Sequence, residues 1–190
     1  MVARLLVTLL SVVLAGSVGV GVPAHGTAEA PAALAPVDRA APVRFADGRG
    51  LEVLDAKPVG ARQWRLRLRT DQLARPVDVV VLLPTGYSRT TRRYPVLHLF
   101  HGTSGGADGW LVDRSAAPAT RDMPLIVVMP DGGGKHSETG WYTDWHDGSR
   151  HWETFHIEVV LPWVRDQLGV GSCRESTLAA GLSMGGFGSF

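Results

Sequence analysis

Three short apolar runs in this chain end abruptly in glycine-rich loops: "YPVLHLFHG", "LIVVMPDGGG" and "STLAAGLSMGG". Runs this short, nearly free of polar residues and closed by glycine, read as strands buried on both faces of a sheet. Between the first two, "SGGADGWLVDRSAA" has room for a helix. Between the second and third, Trp152, Phe155, Val159 and Trp163 recur at helical spacing through "HWETFHIEVVLPWVRDQLG". Strands alternating with helices imply an α/β fold, a doubly wound and mostly parallel sheet covered on both faces. Ligands of such sheets bind beyond the carboxyl ends of the strands. All three glycine-rich loops fall at that edge.

Two further strands precede these. "QWRLRLRT" alternates Trp64, Leu66 and Leu68 with Arg65, Arg67 and Arg69, which predicts a strand with one solvated face. "PVDVVVLLP" follows, closed by the turn residues "TGYS". The short connection between the two predicts an antiparallel pair. In the long helix, Asp147 or Ser149 is positioned to cap the start, and Glu153 meets the positive end of the helix dipole. Pro162 is expected to interrupt or kink it. Gly169 or Gly171 is expected to end it.

The first residues are of a different kind. "MVARLLVTLLSVVLAGSVGVGVPAHGTAEA" has a short start bearing Arg4, then an apolar stretch, then small-residue sites. This is the plan of a secretory signal peptide over residues 1–30, cleaved near residue 24 or near residue 30. It predicts a secreted protein, extracellular or in the cell envelope, with no stable membrane insertion once the leader is removed. Residues 31–50, rich in Pro and Ala, are expected to be a linker, and residues 51–190 to be the folded part. Cys173 is the single cysteine of the 190 residues, so an internal disulfide is excluded. Cys173 is expected to be a small buried apolar group. A net charge of +1 gives no electrostatic case for a nucleic-acid partner.

Gly181-Leu182-Ser183-Met184-Gly185 has the spacing of a nucleophile elbow, where a serine sits on a sharp turn between strand and helix. The apolar strand ahead of it and the small residues after it strengthen that reading. His101 in "HGTSGG" has the look of a catalytic histidine, with a faint echo of the subtilisin histidine segment. That triad runs Asp, His, Ser along the chain, and no Asp-Gly segment precedes His101. His101 is therefore expected to shape its loop, His98 to be structural, and Asp131 to stabilise the "PDGGG" loop. His136, His146, His151 and His156 lack metal-ligand spacing. No metal or cofactor is implied.

With these residues in view, the chain resembles the α/β-hydrolase esterase family that includes esterase D, feruloyl and acetyl xylan esterases and the antigen 85 mycolyltransferases. The resemblance rests on "YPVLHLFHG", "LIVVMPDGGG", "WYTDW", "WETFHIEVVLPWV" and "AAGLSMGGFGS", and runs from about Asp78 to the end. The "WYTDW", "WETF", "GLSMGG" series and the leader lean toward the antigen 85 side. The resemblance implies an acyl-enzyme on Ser183. It implies an oxyanion hole built from the backbone N–H of Met184 and an N–H of the loop after "HG", from Thr103 by position or from neighbouring Gly102. Trp110, Trp141, Asp144 and Trp145 are candidates to line an acyl or sugar pocket, with packing an equal reading for the aromatics.

The family places both the acid and the histidine of the triad after the serine, whereas every histidine here precedes Ser183. The expectation is the N-terminal part of a hydrolase, truncated after the elbow, with "STLAAG" left as an open apolar edge. The function expected is that of a secreted serine esterase or acyltransferase acting on a small-molecule, polysaccharide or lipid ester. The alternative is a non-catalytic carbohydrate- or lipid-binding protein on a degenerate hydrolase fold.

Overall fold

Residues 43–90, 92–112, 116–134 and 139–190 are described by the computed structural model. The expected leader and the first part of the expected linker lie outside them.

Six strands form one sheet: β1 (Glu52–Gly60), β2 (Gln63–Arg69), β3 (Val77–Leu82), β4 (Val96–Phe100), β5 (Ile126–Pro130) and β6 (Thr177–Gly181). Their order is β1-β2-β3-β5-β4-β6. Pairings β1–β2, β2–β3 and β3–β5 are antiparallel, and β4–β5 and β4–β6 are parallel. The sheet is therefore mixed by pairing rather than mostly parallel, although β2, β4, β5 and β6 all point one way. The antiparallel pair expected at the start is β2–β3. β1 carries no clear sequence signal because it is an edge strand with most positions exposed. Its Pro58, Asp55 and Lys57 suit an edge that must not recruit another strand.

β3 and β5 are buried almost throughout, which is why their sequences lack alternation. On β2, Leu66 and Leu68 are fully buried. The arginine face of β2 is paired rather than simply solvated. Arg65 meets Asp108 at 3.0 Å, Arg67 meets Asp78 at 2.9 Å and Arg69 meets Glu52 at 2.7 Å. Such exposed pairs contribute little stability each, about 0–1 kcal/mol.

Helices cover both faces. On one side lie the short α1 (Gly109–Val112) and α2 (Ala116–Ala119), beside the cluster of Val80, Leu82, Val127 and Met129. On the other lies α3, residues 152–168, which joins Trp152–Thr154, a π-helical stretch Phe155–Val160 and Leu161–Leu168. All four residues expected on its inner face, Trp152, Phe155, Val159 and Trp163, are buried. The irregularity expected at Pro162 is that π stretch. It closes with Leu161 N–H donating to the His156 carbonyl, and Pro162 then sits at the start of a regular segment, where a missing N–H is tolerated. Gly169, at φ 63°, ends the helix.

Three expectations are corrected here. Asp147 does not cap α3; it accepts from the N–H and hydroxyl of Ser149 and closes its own turn. The cap is Asp144, whose carboxylate accepts the Thr154 N–H at 3.0 Å and the Thr154 hydroxyl at 2.7 Å. Burial works against its charge, but the bonds from Thr154 and from the Glu153 backbone outweigh that and hold its pKa below the usual value. The last part of the expected linker is packed. Phe45 stacks on Trp163 at 6.0 Å, and the Trp163 indole N–H donates to the Ala46 carbonyl at 2.9 Å. Cys173 is exposed rather than buried, because it lies in the polar connection between α3 and β6 beside Arg174 and Glu175.

Two buried histidines lie between β4 and α3. Burial, with the nearby Arg165 as a second cause, lowers the pKa of His98 from 6.5 to about 4. Burial, with His98 and His101 as lesser causes, holds His156 well below its ordinary value. A depressed histidine pKa means that the unfolded chain takes up protons first. Stability is thus full above pH 6.5 and lost as pH falls toward 4. For His98 alone the loss amounts to roughly 3 kcal/mol by the time the folded pKa is reached. The melting temperature is expected to fall steeply across that window, and His98→Leu to flatten the fall; a melting temperature constant over the window would refute the assignment. Asp144→Ala is expected to cost about 1 kcal/mol, or about 2–4 °C of melting temperature. Asp147→Ala should stay within about 0.5 kcal/mol of the native protein.

Candidate active site

The turn after β6 is shaped by two glycines. A β-carbon at Gly181 would collide with the Gly185 carbonyl, and one at Gly185 would collide with the Phe100 carbonyl at the end of β4. The chain must pass over itself and lie on β4 at once, and only residues without a side chain permit both. Ser183, between them, is held at φ 55° and ψ −118°, outside the regions open to ordinary residues at low cost. It is exposed. The following turn, α4 (Met184–Phe187), begins at once. As its first residue, Met184 has an N–H with no acceptor inside the helix. The Gly185 N–H donates to Leu182 O at 2.9 Å and the Phe187 N–H to Ser183 O at 3.1 Å.

Gly102 of the "HG" loop lies against this turn; a β-carbon there would stand 3.5 Å from the Ser183 β-carbon. Gly102 is thus packed against the serine turn. Thr103 follows it, exposed, with its carbonyl directed at Gly134.

His101 is 3% exposed and fully engaged. Its Nε2 accepts the Gly132 N–H at 2.9 Å, which requires a lone pair there. The ring proton then sits on Nδ1 and is donated to the Gly102 carbonyl at 2.7 Å. Asp131 Oδ1 approaches Nε2 at 3.3 Å but cannot bond to a nitrogen already accepting; it accepts the Gly133 N–H at 3.0 Å instead. His101 thus ties the loop after β4 to the loop after β5. With both nitrogens occupied it is not available as a base for Ser183, and among the described residues no side chain hydrogen-bonds to the Ser183 hydroxyl.

Tyr142 is the residue that sequence reasoning passed over. Its hydroxyl donates to the His101 carbonyl at 3.1 Å, and its ring packs with Phe100 and Met184 beneath the elbow. Burial raises its pKa far above the ordinary phenol value. Trp141 and Tyr142 both have left-handed backbone, at φ 55° and 58°. Neither strained residue carries a sequence signal of its own, since an aromatic residue at positive φ is set by what it packs against after folding.

The four candidate lining residues separate. Trp110 donates its indole N–H to the Phe100 carbonyl at 3.1 Å and braces the end of β4. Asp144 caps α3. Trp145 packs on the core, with the Arg150 guanidinium 5.7 Å above its ring. Trp141 alone combines a half-exposed ring with a place beside the elbow helix, edge-on to Phe187 at 6.1 Å.

Among the described residues no three of His, Cys, Asp or Glu are grouped as a metal site would need. No helix among them is long and apolar enough to cross a membrane.

The sequence of the family described as "Putative esterase" matches residues 70–190. Esterase Rv1288 of Mycobacterium tuberculosis (strain ATCC 25618 / H37Rv) is 39% identical over 146 residues, which are 75% of this chain and 31% of that protein. The chain therefore spans about a third of the length of this curated relative. Among solved structures, a ferulic acid esterase matches with a TM-score of 0.56 and 28% identity, over 67% of this chain and 52% of its own. Fluorophosphonate-binding serine hydrolase F of Staphylococcus aureus matches with a TM-score of 0.56 and 22% identity, over 66% of this chain and 49% of its own, a likeness of fold. With more than half of its residues under the family's pattern, a mixed sheet wound by helices on both faces and a glycine-framed serine turn, the chain belongs to the esterase family of α/β-hydrolases.

Proposed function

We propose that this chain carries the nucleophile and oxyanion half of a serine esterase. The observation that carries the reading is Ser183, exposed and strained at the strand–helix turn, with the "HG" loop against it. Ser183 Oγ attacks the ester carbonyl carbon and a base takes its proton. The carbonyl oxygen becomes an oxyanion held by the Met184 N–H and by an N–H of the loop at Gly102 and Thr103. Collapse of this intermediate breaks the ester C–O bond, the alcohol leaves with the proton from the base, and water then hydrolyses the acyl-serine. Each oxyanion donor of this kind contributes about 2.7–4 kcal/mol to the transition state. The base and its orienting acid come from outside the described residues. The half-exposed Trp141 ring is the lining group best placed for the acyl part. Export through the leader at residues 1–30 belongs to the same proposal, and N-terminal sequencing of secreted protein tests it: a mature start near residue 25 or 31 supports it.

The 190-residue chain alone is expected to hydrolyse p-nitrophenyl esters no faster than its Ser183→Ala variant, since a hydroxyl without a base stays protonated. A longer chain that continues through a histidine after Ser183 should react with a fluorophosphonate probe, and Ser183→Ala should abolish that labelling. In serine proteases with such a triad, loss of the histidine base costs roughly 10⁶-fold and loss of its orienting acid roughly 10⁴-fold. Labelling that survives Ser183→Ala places the nucleophile elsewhere and overturns the reading. His101→Ala, in protein that keeps its native circular dichroism, should slow labelling severalfold by loosening the Gly102 loop without abolishing it. Abolition would make His101 the base.

A further inference from the structure

The same edge of the sheet carries a second feature away from Ser183. Where the β2–β3 connection meets the loop after β5 and the start of α3, a cleft opens, lined by Leu73, Arg75, Pro76, Asp78, Arg150 and Trp152 among others. Its free volume is about 160 Å³. An apolar cavity of about 150 Å³ takes up one benzene molecule, so the cleft has the size of a single six-membered ring. Leu73 and Trp152, both core residues, and Pro76 give it an apolar wall.

Its polar lining carries both signs of charge. Arg67, Arg75 and Arg150 face Asp78 and Asp131. Both carboxylates are already engaged: Asp78 accepts from Arg67 at 2.9 Å, and Asp131 accepts the Gly133 N–H at 3.0 Å. Arg75 is exposed and has no acidic partner among the described residues. A guanidinium fork beside a ring-sized cleft with one apolar wall is suited to a carboxylate carried on a ring. Neighbouring strands lie about 4.8 Å apart. Two to three strand spacings separate the serine turn after β6 from the ends of β5 and β3, which sets the cleft roughly 10–15 Å from Ser183. That is too far for the scissile bond and near enough for another part of the same molecule.

We propose that this cleft binds a six-membered ring bearing one carboxylate, as the part of an ester substrate remote from the bond that is cleaved. Describing the ring as part of a substrate rests on the serine-esterase reading; the binding itself does not. The ring is either a sugar acid or an aromatic acid, and the probes separate the two.

The test is calorimetric titration of the protein with D-glucuronate, benzoate and neutral D-glucose at low ionic strength. At least one of the two anions should bind saturably, with glucose at least tenfold weaker. Arg75→Ala should weaken the anion at least tenfold, Arg75→Lys should restore part of the loss, and added salt should weaken it further. Arg75 is exposed, so an unchanged melting temperature is the check that its variants are folded. Preference for glucuronate identifies the sugar acid, and preference for benzoate the aromatic one. The proposal is overturned if neither anion saturates, or if Arg75→Ala binds as tightly as the native protein. Fluorophosphonate labelling of Ser183, measured separately in a longer chain that continues through a histidine after Ser183, keeps the two readings apart. Labelling without anion binding removes the cleft and leaves the esterase; anion binding without labelling does the reverse.

Discussion

The elbow helix lies so close to the end of β4 that the Gly185 α-carbon leaves no room for a β-carbon beside the Phe100 and His101 carbonyls. Much of the serine-bearing edge follows from that contact. It fixes Ser183 relative to the "HG" loop, because the strand that supports the helix is the strand that feeds the loop. It forces the return of the chain over Gly181, and with it the strained backbone of Ser183. The strain must be held from below. Phe100, Tyr142 and Met184 do this as a small packed cluster, in which Met184 belongs to the elbow and Phe100 to β4.

The loops are joined by polar contacts of the same economy. His101 spends one nitrogen on its own loop and the other on the loop after β5, and its carbonyl accepts from Tyr142. Three segments thus meet around one buried residue. A histidine in that role has to keep a fixed tautomer, since a proton on Nε2 would face the Gly132 N–H. The buried donor–acceptor pattern itself therefore argues against proton transfer at His101, whatever its sequence context suggests.

How far the sequence revealed this depended on whether a signal is local. β3 and β5 are legible because burial on both faces removes polar residues from consecutive positions, whereas β4, buried at alternate positions, and β6, exposed along its middle at the end of the sheet, are legible from their apolar runs alone. The inner face of α3 is legible because its four anchors repeat at helical spacing. The Gly-x-Ser-x-Gly turn is legible because steric exclusion acts within five residues. β1 is not, since an edge strand tolerates Pro and charge. The cap of α3 is not, because Asp144 reaches Thr154 through space from a turn rather than from the position ahead of the helix. Cys173 was misjudged because cysteine is usually buried, and composition is blind to the exposed connection in which this one sits. The packing of Phe45 against Trp64 and Trp163 could not be read from a stretch whose Pro and Ala content suggests a linker.

The site residues divide along the same line. Ser183, Met184 and the Gly102–Thr103 loop belong to motifs. Trp110, Trp141, Asp144 and Trp145 are distinguished only by what each touches after folding, and three of them are taken up by bracing, capping and packing. The arginines show the consequence of topology most clearly. Arg67 lies on β2, Arg75 on the connection to β3 and Arg150 ahead of α3, and nothing in their spacing links them. The antiparallel β3 brings its start to the edge where β5 ends, so the charges of the opening strands are delivered beside the loops of the parallel ones. A wholly parallel sheet would have sent that connection to the opposite edge. The mixed pairing of the sheet is thus what gives one edge both an apolar, strained serine turn and a basic cleft a few strands away.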